Sequence, residues 1–126
     1  MNILVDSSIW IDYFRSGKNS EMLDDYIDQN LICTNYLILS EIIPSLKIKK
    51  QSKVINLLYN INRIPLNLDW SKIIDLQTKC LKNGINKVGI PDLIILDNVL
   101  QNDLTLYTLD NHFFLIQKFV QFSIVK

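Results

Sequence analysis

Short apolar runs and longer stretches of helical period succeed one another along this 126-residue chain, and the switches between them delimit its elements. Ile3-Leu4-Val5, closed by Asp6, reads as a buried strand. Ser7 or Ser8 can cap a helix carrying Ile9, Trp10, Tyr13 and Phe14, which stops near Ser16-Gly17. Residues 20–30 make a helix with Met22, Leu23, Tyr26 and Ile27 on one side and Asp24, Asp25 and Asp28 on the other. A second strand, Leu31–Thr34, leads into a helix from about Asn35 to Leu46, which Pro44 should kink or end. Another helix covers roughly residues 50–60, and Arg63–Leu66 is a strand candidate.

Asp69 is placed to cap a helix whose apolar side is Ile73, Ile74, Leu76 and Leu81, ending at Asn83-Gly84. After the loop Ile85–Ile90, Pro91 and Asp92 open a helix that runs to about Gln101. Leu104–Leu109 reads as a strand, His112–Phe119 as a short helix and Val120–Val125 as a final alternating strand. Strands repeatedly separated by helices imply an α/β fold, a three-layer α/β/α sandwich around a mainly parallel sheet. Residues 1–126 then form a single domain, long enough to bury roughly two thirds of its unfolded surface.

Composition narrows the function classes. With 48% hydrophobic and 21% charged residues, the chain is expected to fold. No apolar run reaches the ~18 residues of a membrane span, so no membrane partner is expected. The opening MNILVDSSIW lacks the basic segment of a signal peptide. Cys33, Cys80 and one histidine provide neither a disulfide framework nor zinc-ligand spacing, which fits reduced thiols and a cytoplasmic location. Thirteen basic and thirteen acidic side chains cancel, against a general nucleic-acid coat but not against a local grip on a few phosphates. The densest basic run, Lys47, Lys49, Lys50 and Lys53, is either a solvated helix face or a hold for phosphates or an acidic partner.

The carboxylates carry the chemistry. In parallel α/β sheets, ligands collect at the carboxyl ends of the strands. Asp6 and Asp110 each follow a strand and fall on that rim, while Asp103 precedes one and falls roughly 20 Å away. Glu41 and Asp92 sit in apolar surroundings with no cation within four residues of Glu41. Were Asp6, Glu41, Asp92 and Asp110 to converge, each pair about 4 Å apart would repel by roughly 4 kcal/mol. Several such pairs rival the ~5–15 kcal/mol stability of a domain; a bound divalent cation resolves the conflict, and oxygen-only ligation points to Mg²⁺ or Mn²⁺. Each residue also has a plainer role: helix cap for Asp6, dipole partner for Asp92, surface residue for Glu41, turn former for Asp110.

Leu4-Val5-Asp6-Ser7-Ser8-Ile9-Trp10-Ile11-Asp12, Ser40-Glu41-Ile42, Ile90-Pro91-Asp92-Leu93-Ile94-Ile95 and Tyr107-Thr108-Leu109-Asp110-Asn111-His112-Phe113 resemble the PIN-domain ribonucleases, and most of all the VapC-type toxins of bacterial toxin–antitoxin pairs. The likeness spans nearly the whole chain in order, and its first and last segments are the most specific. It implies a Mg²⁺- or Mn²⁺-dependent endoribonuclease with Asp6, Glu41, Asp92 and Asp110 as the catalytic and metal-binding cluster. Asp6 and Asp92 would bind most directly, and Ser8 and Thr108 would hydrogen-bond the carboxylates. It further implies an RNA substrate, tRNA among the candidates, an antitoxin docking near residues 20–60, and a homodimer. Asp6→Asn should then abolish cleavage and stabilise the metal-free protein.

Two departures from the family pattern stand out. Asp97 and Asn98 occupy places where many relatives carry small or uncharged residues; five residues turn a helix by about 500°, so Asp97 points about 140° from Asp92 and is expected to be polar and exposed or to approach from the side. Asn111 stands where some relatives carry a further acid. His112, the only histidine, is read as packed or solvent-facing rather than as a proton shuttle, and Trp10, Tyr13, Phe14 and Tyr36 as core or interface residues, with base stacking the alternative. A catalytically inactive interaction module with the same fold is the alternative. A phosphotransfer protein of haloacid-dehalogenase type fits worse, since the second Asp it needs is Ser8 here.

Overall fold

The computed structural model describes residues 2–126. In chain order the elements are β1 (Ile3–Val5), α1 (Ser7–Arg15), α2 (Leu23–Asp28), β2 (Ile32–Thr34), α3 (Tyr36–Ile48), α4 (Ser52–Tyr59), β3 (Asn62–Arg63), α5 (Trp70–Lys82), α6 (Ile90–Asn102), β4 (Thr105–Tyr107), α7 (Asn111–Ile116) and β5 (Ser123–Ile124). The strands form one sheet in the order β3-β2-β1-β4-β5, with every neighbouring pair parallel. Helices cover both faces, giving the expected three-layer α/β/α sandwich. At the centre, Ile3, Leu4 and Val5 are wholly buried, because a parallel strand is packed on both sides. Leu93 and Leu96 of α6, Leu106 of β4 and Phe113 of α7 close around them.

Several local expectations need correction. The helix expected over residues 20–30 forms only at Leu23–Asp28, because Ser20 donates to Asp12 Oδ2 at 2.8 Å and Asn19 donates to the same carboxylate. That carboxylate holds the preceding segment as a loop. Pro44 does not end α3, which runs on to Ile48. The carbonyl that Pro44 leaves without a donor belongs to Ser40, and both residues lie on the exposed side, where solvent can serve it. β3 is Asn62–Arg63 rather than Arg63–Leu66: Ile64 still donates to Thr34 O at 2.8 Å, but Pro65 has no N–H to extend the ladder.

On α5 the buried side is Ile73, Leu76 and Cys80, while Ile74 and Leu81 face outward with Trp70. Cys33 and Cys80 are free and buried, and burial pushes the Cys33 thiol up to about 12, so it is an inert core residue. Lys47, Lys49, Lys50 and Lys53 are all exposed. Among the described residues no helix is long and apolar enough to cross a membrane.

Candidate active site

The site begins with strand register. β1 and β4 pair with Val5 opposite Tyr107, and the Asp6 N–H donates to Tyr107 O at 2.9 Å. Asp6 therefore emerges beside Thr108 on the carboxyl rim of the sheet. It caps α1 and is buried, with a relative exposure of 4%. Its Oδ1 accepts from the Ser7 N–H at 2.8 Å; its Oδ2 accepts from the hydroxyls of Ser8 at 3.0 Å and Thr108 at 2.8 Å. The same hydroxyl oxygens accept in turn from backbone: Ser8 Oγ from Leu109 N–H and Thr108 Oγ1 from Asp110 N–H, both at 3.0 Å. Each hydroxyl's single proton is thus committed to Asp6, which is held as a three-fold acceptor. Ser8 and Thr108 fasten the start of α1 to the turn after β4.

Asp110 caps α7, its Oδ1 accepting from the His112 N–H at 2.9 Å. The His112 ring returns over the same carboxylate, with Nδ1 3.4 Å from Oδ1. Asp92 lies in the first turn of α6, just after Pro91, so three of the four acids sit at helix N-termini where the macrodipole favours negative charge. Asp92 is half-buried, and its pKa is nevertheless pushed up to about 6, first by desolvation, then by the Asp110 and Asp6 charges, with His112 opposing.

Glu41, in the second turn of α3, is also raised: by desolvation first, then by Asp6 and Asp92, while a hydrogen bond with Ser7 pulls the other way. It is not the buried anomaly its neighbours imply. Its side chain is exposed at the rim, and Leu39, Ile42 and Ile43 beside it turn into the core. Mutual charge effects thus link Glu41 to Asp6 and Asp92, and Asp92 to Asp6 and Asp110. All four interact by charge at one rim, but the group whose ligand atoms lie within 4.8 Å of one another takes in Asp92 and Asp110 and leaves Asp6 and Glu41 outside it.

Two residues fall differently from expectation. Asp97 is neither exposed nor directed at the rim: it is 4% exposed, accepts from Gln101 Nε2 at 2.8 Å, and feels Asp69 and Lys72 of the α5 start. Gln101 Nε2 also donates to Asn67 O, so Asp97 serves to hold the loop before α5. Its neighbour Asn98 donates to Pro65 O at 3.0 Å and accepts from Asn35 Nδ2 at 3.0 Å, and Asn35 in turn caps α3 through Ile38 N–H. The residue that sequence reading passed over is His112. Its ring nitrogen and carboxylate oxygens of Asp92 and Asp110 all lie within 4.8 Å of one another. The donor set on this side of the rim is therefore mixed, not oxygen alone; the available signal was the position two residues after a helix-capping rim Asp.

Residues 3–118 match the PIN domain family. The chain belongs to the PIN-domain family. No curated protein matches it in sequence. Among solved structures, this PIN domain is similar to VapBC2 from Rickettsia felis bound to a DNA fragment from its promoter, with TM-score 0.77 and 19% identity over 99% of this chain and 98% of that one. It is similar to VapBC-1 from nontypeable Haemophilus influenzae, with TM-score 0.76 and 17% identity over 100% and 98% of the two chains. A toxin-antitoxin complex from Klebsiella pneumoniae follows at TM-score 0.67 and 19% identity, covering 99% and 97%. At such identities the likeness is one of fold.

PIN domains typically use divalent metal ions. The donor chemistry at this rim fits one: Asp92 and Glu41 are raised first by desolvation and then by neighbouring carboxylates, and hard oxygens crowded in this way are donors that suit such a cation.

Proposed function

We propose that this PIN domain is the toxin of a toxin–antitoxin pair, a Mg²⁺- or Mn²⁺-dependent endoribonuclease that hydrolyses RNA phosphodiester bonds in the cytoplasm. The observation that carries this reading is the electrostatic linkage of Asp6, Glu41, Asp92 and Asp110 at the carboxyl rim. These four residues would hold the cation, which supplies Lewis-acid stabilisation of the phosphate and activation of the attacking water. The chain's own part is preorganisation. Ser7, Ser8 and Thr108 fix the orientation of Asp6, and the α7 backbone fixes Asp110, so neither carboxylate reorganises during the reaction. Single-stranded or looped RNA, including a tRNA, would approach this open rim.

A second region supports the antitoxin half of the reading. Trp10, Tyr13 and Phe14 of α1, Ile27 of α2, and Val54, Leu57 and Leu58 of α4 line an apolar groove of about 390 Å³. Most of its length falls within residues 20–60, and Leu57 is 68% exposed there. A groove of this kind suits the apolar face of an amphipathic helix, the form we assign to the antitoxin segment. The outward stripe Trp70, Ile74 and Leu81 on α5 supports a homodimer, in which a second copy would cover it.

The decisive test is cleavage of an RNA pool by the purified chain with Mn²⁺, mapped at the ends formed, together with a thermal shift on adding the ion. A bound ion at about 100 times Kd adds about 2.7 kcal/mol to the folded state. Cleavage that disappears in Asp92→Asn supports the nuclease; neither cleavage nor shift leaves an inactive module with the same fold.

A further inference from the structure

We propose that His112 is itself a metal ligand, its ring nitrogen joining the Asp92 and Asp110 carboxylates in a mixed nitrogen–oxygen site that favours a first-row transition ion such as Mn²⁺ over Mg²⁺. The inference rests on the metal-dependent reading above and specifies which atoms do the holding. One ligand atom from each of the three residues lies within 4.8 Å of the other two. Two ligands on one small divalent ion, each about 2.1 Å from it, are at most about 4.2 Å apart, so the trio needs only slight side-chain adjustment to share an ion.

The imidazole is aimed there by the backbone. His112 occupies the first turn of α7, its N–H is tied to Asp110 Oδ1 at 2.9 Å, and its neighbour Phe113 is wholly buried, which anchors the helix. The ring is only partly exposed, at 35%, with Nδ1 3.4 Å from Asp110 Oδ1. Asp6 stays open to the same ion from the other side, since its Oδ1 accepts only the Ser7 N–H and keeps a lone pair. Imidazole nitrogen is a poor match for Mg²⁺, which prefers an all-oxygen octahedron, and a good one for transition ions.

Pulsed electron paramagnetic resonance of the full chain loaded with Mn²⁺ reads this directly, because a directly bonded ¹⁴N modulates the signal. The expected result is a ¹⁴N coupling in the unaltered chain that is lost in His112→Ala. At one fixed pH, calorimetry should show that variant's Mn²⁺ affinity falling by at least roughly tenfold, the scale on which even outer partners of a metal act, with Mg²⁺ affinity changing much less. Mn²⁺ binding without any ¹⁴N coupling, and with equal affinity in both proteins, overturns the role of His112 while leaving the carboxylate site intact. Failure of Mn²⁺ to bind the unaltered chain at all overturns the metal-dependent reading and this inference together.

Discussion

One helix serves two regions of opposite chemistry. The start of α1 belongs to the acidic rim, where Asp6, Ser7 and Ser8 are locked into a hydrogen-bonded turn. Its next two turns belong to the apolar groove, where Trp10 stacks on Phe14 and Tyr13 meets both rings edge-on, at ring separations near 6 Å. The rim is costly to the fold, since its carboxylates are partly desolvated and repel one another. The groove is costly in a different way, since exposed Leu57 and Phe14 await a covering surface. Each region is incomplete by itself, and each asks for a different partner.

The contrast can be attacked from both sides. Asp92→Asn removes the carboxylate with the most strongly raised pKa in the cluster, and cleavage should fall on the order of 10³-fold, the scale of losing a principal electrostatic contact. The same change should stabilise the metal-free protein by about 1 kcal/mol in a chemical melt, because it removes a desolvated charge and relieves its repulsion by Asp110 and Asp6. Asp6→Asn should also lose cleavage but without that gain. An amide at Asp6 presents a donor to the Ser8 and Thr108 hydroxyls, whose own protons already point there, and the lost acceptor outweighs the relieved charge. The expectation from sequence that Asp6→Asn would stabilise is therefore transferred to Asp92.

In the groove, Leu57→Asp places a charge on a surface-exposed apolar site. It should weaken antitoxin binding by about 30-fold or more, measured by calorimetry, and leave both folding and cleavage unchanged. A loss of cleavage there would mean the two regions are not separable.

A more gradual effect is a pH dependence of the metal-free fold. Asp92 has a folded pKa of about 6 against about 3.9 when unfolded, so the fold prefers its protonated form. That stability is present below about pH 4 and is lost as pH rises through 6, and Glu41 shifts in the same direction. Allowing for partial exposure, the loss is on the order of 1–2 kcal/mol. Melting temperature against pH in the presence of a chelator should show it, and Asp92→Asn should flatten the curve.

The architecture was legible because strand and helix periods differ and each apolar run has a single plausible destination. Where it was not, a side chain intervened: Asp12 unwound the start of α2, and Pro65 cut β3 short. The apolar side of α5 was misjudged since Ile73 and Ile74 are adjacent and only one can face inward. At the candidate site, the rim placement of Asp6 and Asp110 was readable from strand ends alone, a rule of topology. Asp97 was not, because its burial depends on Gln101 and on the loop at Asn67, a contact across 34 residues that no local pattern encodes. Nor was His112, whose approach to Asp92 requires α6 and α7 to begin side by side.

The amide bridge from Asn35 to Asn98 joins the cap of the helix bearing Glu41 to the middle of the helix bearing Asp92. It acts as a rivet beneath the rim: the axial rotation of α3 and α6, and hence the spacing of their two acids, is set by a pair of neutral side chains buried out of reach of any ion. The geometry of the acidic rim is consequently adjustable from a depth at which none of its charged groups is touched.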